Sequence, residues 1–112
     1  TTHVLDLSTG KPAQGLLLEL FALDDGEVSL RQATTNSDGR VDSPLLTPDT
    51  IKVGEYKLLF QAGEYLQRVH GIGAADLFLD QVPLVFRIFD ADQRYHVPLL
   101  LSPYGYSTYR GS

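Results

Sequence analysis

Apolar residues in this chain come in short runs, often alternating with polar ones and separated by glycine or proline. Residues 54–61 place Tyr56, Leu58 and Phe60 on one face and Lys57 and Gln61 on the other, so a period of two predicts a strand with one buried side. Residues 82–89 repeat the pattern with Val82, Leu84, Phe86 and Ile88. Residues 95–101 align Tyr95, Val97, Leu99 and Leu101, which turns His96, Pro98 and Leu100 to the side away from the core. Residues 5–7, 16–23 and 28–35 read as further strands, and 106–112 as a terminal one. Residues 64–70 lack alternation, begin with Glu64, end with His70 and precede Gly71, which predicts one short helix.

The turns between these runs follow their own chemistry. Asp24-Asp25-Gly26-Glu27 predicts a hairpin connection. In Asn36-Ser37-Asp38-Gly39 the glycine is free to take a positive φ, and the turn delivers Arg40 at its exit, at the start of a segment reaching Leu46. Seven or eight short strands and one brief helix pack most simply as an all-β, two-sheet Greek-key sandwich. One domain over residues 1–112 is expected, with no repeat, linker or low-complexity segment.

Composition narrows the function. The 112 residues are 43% hydrophobic and 21% charged, which suits a folded chain and excludes overall disorder. Cysteine is absent, so disulfides, a thiol nucleophile and thiolate metal sites drop out. Nine Lys and Arg against fourteen Asp and Glu give a net charge of −5, the wrong sign for a general nucleic-acid binder. No apolar run approaches the ~20 residues that cross a bilayer, so no membrane partner is expected. No basic stretch followed by an apolar one opens the chain. The expected location is the cytoplasm, or the periplasm if a leader is removed, or the peroxisome in an animal.

Candidate chemistry rests on few groups. His70 fits an ordinary residue at a helix C-terminus, where a cation gains about 0.3–1 kcal/mol, and receives no catalytic role. His3 and His96 lie on predicted strands at the parity opposite to the core, as ordinary surface residues or as bases near neutral pH. His3 with Leu5 and Leu7, and His96 with Pro98 and Leu100, mix polar and apolar groups on a face that suits a partner or ligand. Arg40 is a solvated charge or a fixed cation for an anionic planar ligand. Neither histidine has a metal-ligand neighbour at short spacing, so no metal is expected. A Gly-x-Ser-x-Gly elbow and phosphate-binding glycine motifs are missing as well.

Several segments taken together resemble one family. Thr1-Thr2-His3-Val4-Leu5-Asp6, Gly10-Lys11-Pro12-Ala13, Asp38-Gly39-Arg40, Tyr95-His96-Val97-Pro98-Leu99-Leu100-Leu101-Ser102 and Tyr106-Ser107-Thr108-Tyr109-Arg110-Gly111-Ser112 are similar to the 5-hydroxyisourate hydrolases. These are transthyretin-related enzymes of urate breakdown, and the closing Tyr109-Arg110-Gly111-Ser112 matches their signature terminus. The resemblance spans the chain. It implies a transthyretin-like sandwich assembled as a homotetramer, a dimer of dimers, with active sites in the channel between dimers. It implies a catalytic set of His3, Arg40, His96 and Ser112, with His3, Arg40 and Tyr109 contacting substrate and Tyr109 closing the channel.

The implied reaction adds water to a cyclic amide of 5-hydroxyisourate and gives 2-oxo-4-hydroxy-4-carboxy-5-ureidoimidazoline, with no cofactor. The two histidines are expected to orient and deprotonate water, Arg40 to hold the anionic substrate and the oxyanion, and Ser112 to donate through its hydroxyl or accept through its carboxylate. The alternative on the same fold is a non-catalytic carrier of a small aromatic ligand. Three polar groups as distinctive as His3, Arg40 and His96 have little use in an apolar carrier pocket. A structural sandwich module ranks below both.

Overall fold

The alternation at residues 54–60 is borne out by burial: Tyr56, Leu58 and Phe60 are 5%, 1% and 0% exposed in strand β5, Gly54–Phe60. Removing each such side chain from water contributes roughly 1.5–3 kcal/mol, which is what holds the strand to one face. The computed structural model describes residues 1–111 and contains eight strands in two four-stranded sheets. In chain order the others are β1 Thr2–Asp6, β2 Lys11–Pro12, β3 Leu17–Ala22, β4 Val28–Thr34, β6 Val82–Ile88, β7 Val97–Ser102 and β8 Gly105–Thr108. Helix α1, Ala62–His70, and a 3-10 turn at Ala74–Asp76 lie between β5 and β6. The all-β sandwich with one short helix is therefore the observed class.

One sheet has the order β2-β1-β7-β8 and the other β4-β3-β5-β6. Val4, Leu99 and Leu101 from the first meet Leu18, Leu20, Leu58, Phe60, Val82 and Ile88 from the second in a core from which water is excluded. Tyr65 and Leu66 bring the buried face of α1 to the same cluster. Gly71 stops the helix in the left-handed conformation, φ 67°, with its N–H on the Gln67 carbonyl. Among the described residues no helix is long and apolar enough to cross a membrane.

Several boundaries differ from the sequence expectation. The first strand is Thr2–Asp6 rather than 5–7, because it pairs in parallel with β7 from Thr2↔Val97 to Asp6↔Leu101 and buries Thr2, Val4 and Asp6. That pairing joins segments about 95 residues apart, so no local pattern announces it. The turn cluster after it contains the two-residue β2, paired to β1 at Leu5↔Pro12 and Asp6↔Lys11. The helix starts two residues early, at Ala62, which is itself buried.

The last two strands are also shorter than expected: β7 begins at Val97, opposite Thr2, and Pro98 explains where β8 stops. The β7–β8 ladder runs from Ser102↔Gly105 to Leu99↔Thr108 and then stops. Pro98, next in line opposite Tyr109, has no N–H to offer. The same register resumes one step later as the His96↔Gly111 bridge, with the Gly111 N–H on the His96 carbonyl at 2.7 Å. Residues 109–111 thus still run beside β7, with Tyr109 on the Pro98 side and Arg110 on the opposite one.

Candidate functional site

Site geometry begins with the β1–β7 register. His3 lies opposite Pro98, and His96 is two residues before Pro98, so both histidines share the outer face of their sheet with Leu5 and Leu100. The parity read from the sequence is the observed one. Both histidines are half-buried, and Tyr109 is exposed on the same side.

Arg40 reaches this corner through backbone chemistry. Asn36 Oδ1 accepts the N–H groups of Asp38 (2.9 Å) and Arg40 (3.2 Å), and the Asn36 N–H donates to the Arg40 carbonyl at 2.7 Å. Gly39, at φ 72°, gives its carbonyl to the Val4 N–H at 2.8 Å and so fastens the turn to β1. A side chain at Gly39 would overlap the Val4 carbonyl oxygen and stand 3.3 Å from His3 Cδ2. The glycine thus lets the His3 ring and the start of the Arg40 segment come together. Beyond Arg40 the chain runs to Leu46 without forming a strand, and Leu45 drops into the core.

His96 is held from two sides. Its Nδ1 lies 2.7 Å from the Thr1 hydroxyl, which leaves proton exchange with a ligand to Nε2. Burial lowers its pKa from the ordinary histidine value, and the positive charges of Arg40 and His3 lower it further. The ring is therefore neutral at pH 7. A cleft of about 760 Å³ opens beside it, lined by Thr1, Arg40, Tyr95 and His96 and by the apolar Leu45 and Phe86.

A neutral imidazole beside a guanidinium can take a proton from water while the cation receives the negative charge that forms on an attacked carbonyl. The structure thus brings His3, Arg40 and His96 to one corner, with Tyr109 on the same sheet face. Ser112 lies outside the described residues. Among those residues no group of three or more His, Asp or Glu side chains converges as a metal site. Thr1 and Gly111 contact His96 directly and were not among the candidates, since nothing in their residue types announces it.

His70 sits elsewhere. It closes α1, and its Nε2 is 2.6 Å from Asp6 Oδ2, which also accepts the Tyr65 hydroxyl at 2.7 Å. Asp6 is 1% exposed. Burial pushes its pKa up, but hydrogen bonds from His70, Tyr65 and the Ser8 N–H, with the charge of His70, outweigh that and leave it lowered. Burial and the Asp6 carboxylate raise the Tyr65 phenol in turn. The three side chains brace α1 against β1, so the partner of His70 is a carboxylate and not only the helix end.

Comparison with known proteins bears on this geometry. The model of the HIUase/transthyretin family matches residues 1–111. The 5-hydroxyisourate hydrolase 2 of Rhizobium meliloti is 55% identical over 114 residues, covering 100% of this chain and 94% of that protein. The crystal structure of (S)-allantoin synthase superposes with a TM-score of 0.92 at 40% identity, covering 100% of this chain but 43% of that one. Sea bream transthyretin in complex with thyroxine gives a TM-score of 0.87 at 25% identity, covering 98% of this chain and 92% of that one.

Proposed function

The chain belongs to the HIUase/transthyretin family, and from that premise we propose that it hydrolyses 5-hydroxyisourate, acting as a single domain through His3, Arg40, His96 and the terminal Ser112. The observation that carries the reading is the corner where Arg40 and two histidines meet beside a cleft, with His96 kept neutral by burial and neighbouring charge. The 55% identity to a hydrolase over the whole chain, against 25% to a thyroxine-bound transthyretin, favours chemistry over carriage.

In this reading, water is oriented between His3 and His96, and the lone pair on His96 Nε2 takes its proton as oxygen attacks the ring carbonyl. Nδ1 then carries the other hydrogen and donates it to the Thr1 hydroxyl. Arg40 binds the anionic substrate and stabilises the oxyanion, a preorganised charge effect of roughly 3–4 kcal/mol where water is excluded. Collapse of the tetrahedral intermediate breaks the C–N bond and opens the six-membered ring. The departing nitrogen recovers the proton from imidazolium, so no cofactor enters the balance. Ser112 contributes a hydrogen bond, and Tyr109 borders the substrate.

The outer face that carries His3, Leu5, Pro98, Leu100 and Tyr109 is too apolar to be a typical solvated surface. We assign it to the contact between dimers in a homotetramer, which encloses the sites in a shared channel. The test is to generate 5-hydroxyisourate from urate with urate oxidase and follow its ultraviolet absorbance. Acceleration over spontaneous decay at protein far below substrate supports the hydrolase. Stoichiometric binding without turnover supports the carrier.

A further inference from the structure

Arg110 faces the side of the sheet opposite to His96 and makes the most elaborate set of contacts in the terminal segment. Its guanidinium carbon lies 4.5 Å from the centre of the Tyr95 ring and 5.3 Å from that of Phe89. Its Nη2 donates to Gln93 Oε1 at 2.9 Å and to the Arg94 carbonyl at 3.1 Å. The platform beneath it is fixed. The Tyr95 hydroxyl accepts the N–H groups of Phe89 (3.0 Å) and Asp90 (2.9 Å), and its ring meets Phe89 edge to face at 5.6 Å.

The next residue touches His96. A Cβ built on Gly111 would stand 2.5 Å from His96 Cδ2 and 3.2 Å from its Cβ and Cγ, so the imidazole lies directly against the glycine. On another side the Thr1 hydroxyl holds Nδ1. The β7 ladder is interrupted at Pro98, so between Thr108 and the His96↔Gly111 bridge no ladder pair holds residues 109 and 110, and the bridge is the one backbone tie beyond them among the described residues.

We propose that Arg110 is a positioning residue. It clasps the terminal segment to the turn between β6 and β7, and through Gly111 it holds the His96 ring at the angle the reaction requires. A cation over two rings that also makes two hydrogen bonds from one nitrogen is a task for guanidinium, and lysine would supply only the charge. The clasp rests on the hydrolase reading for its kinetic consequence, but its structural consequence can be read without substrate.

The test uses Arg110→Gln and Arg110→Lys in the full chain, with circular dichroism and thermal melting to establish folding. NMR follows the His96 ring signals through a pH titration, and the 5-hydroxyisourate assay gives kcat and KM. In folded Arg110→Gln, the His96 signals are expected to shift and broaden. Its kcat falls about 10- to 100-fold, the scale of a misplaced reacting group, while KM changes much less. Arg110→Lys is expected to fall between this variant and the wild type.

His96 signals that stay at their wild-type positions and titration midpoint in a folded variant overturn the clasp, whatever the rate. Should Arg110→Gln fail to fold, Gln93→Ala, which removes one partner of the guanidinium, must itself shift or broaden the His96 signals relative to the wild type, and unchanged signals overturn the clasp. Wild-type protein that does not turn over substrate overturns the hydrolase reading and leaves the NMR result to judge the clasp alone.

Discussion

Thr1 Oγ1 and His96 Nδ1 lie 2.7 Å apart, across the end of the parallel pair formed by β1 and β7. The contact ties the residue before β1 to the residue before β7 at the candidate site. It also occupies Nδ1 and leaves Nε2 to a ligand, and in the proposed mechanism Nδ1 donates to the hydroxyl while Nε2 is the base. Thr1→Val keeps the shape and loses the partner, so kcat should fall about tenfold, a fraction of the full general-base contribution, while Thr1→Ser stays near wild type. Steady-state kinetics on the three proteins checks this.

In the proposed mechanism His96 should give the activity its acid limb. Its pKa is lowered by burial and then by Arg40 and His3. A lowered pKa means that the neutral, proton-accepting form persists below the ordinary histidine midpoint of ~6.5. The midpoint of the acid limb in the pH profile of kcat/KM should therefore lie below ~6.5. Replacing Arg40 by Gln removes one of the lowering charges and should move this limb to higher pH.

Arg40 should itself be costly to lose. In the proposed mechanism Arg40→Gln removes the cation that receives developing charge, and kcat is expected to fall by about 10²-fold or more. Arg40→Lys keeps the charge without the fork and should recover only part of the loss. Gly39→Ala tests how the arginine is held. A methyl group would overlap the Val4 carbonyl at a positive φ, which predicts about 1–3 kcal/mol of destabilisation in chemical unfolding and a lower rate with Arg40 still present.

Stability in acid should be set in part by Asp6. Its folded-state pKa is lowered, so its contribution is complete above its unfolded value, about pH 4, and is lost as pH falls through the lower folded value. Asp6→Ala leaves the Tyr65 hydroxyl and His70 without their shared acceptor and should cost about 3 kcal/mol at pH 7. Urea unfolding at pH 7 and below pH 4 should show the gap between variant and wild type narrowing in acid.

Much of this was legible in the sequence because two local rules carry it. Period-two alternation gave the inward set of β5, β6 and β7 and thereby the outward parity of His96. The Asn36–Gly39 cluster gave the turn that delivers Arg40. What was not legible depends on residues far apart in sequence. The β1–β7 pairing, the Asp6–His70 contact and the Thr1–His96 contact each join segments more than sixty positions apart. Arg110 stood in a terminus similar to a family signature, yet its seat on Tyr95 and Phe89 follows only from the folded turn that presents those rings.

The central claim is that His96 acts as a base on 5-hydroxyisourate. Its most direct test is the decay of enzymatically generated 5-hydroxyisourate, followed by absorbance with wild-type protein and with His96→Asn at equal concentrations. The account predicts strong acceleration by the wild type and about 10²- to 10⁴-fold less by a folded His96→Asn. Equal acceleration by both proteins, or none by the wild type, would contradict it.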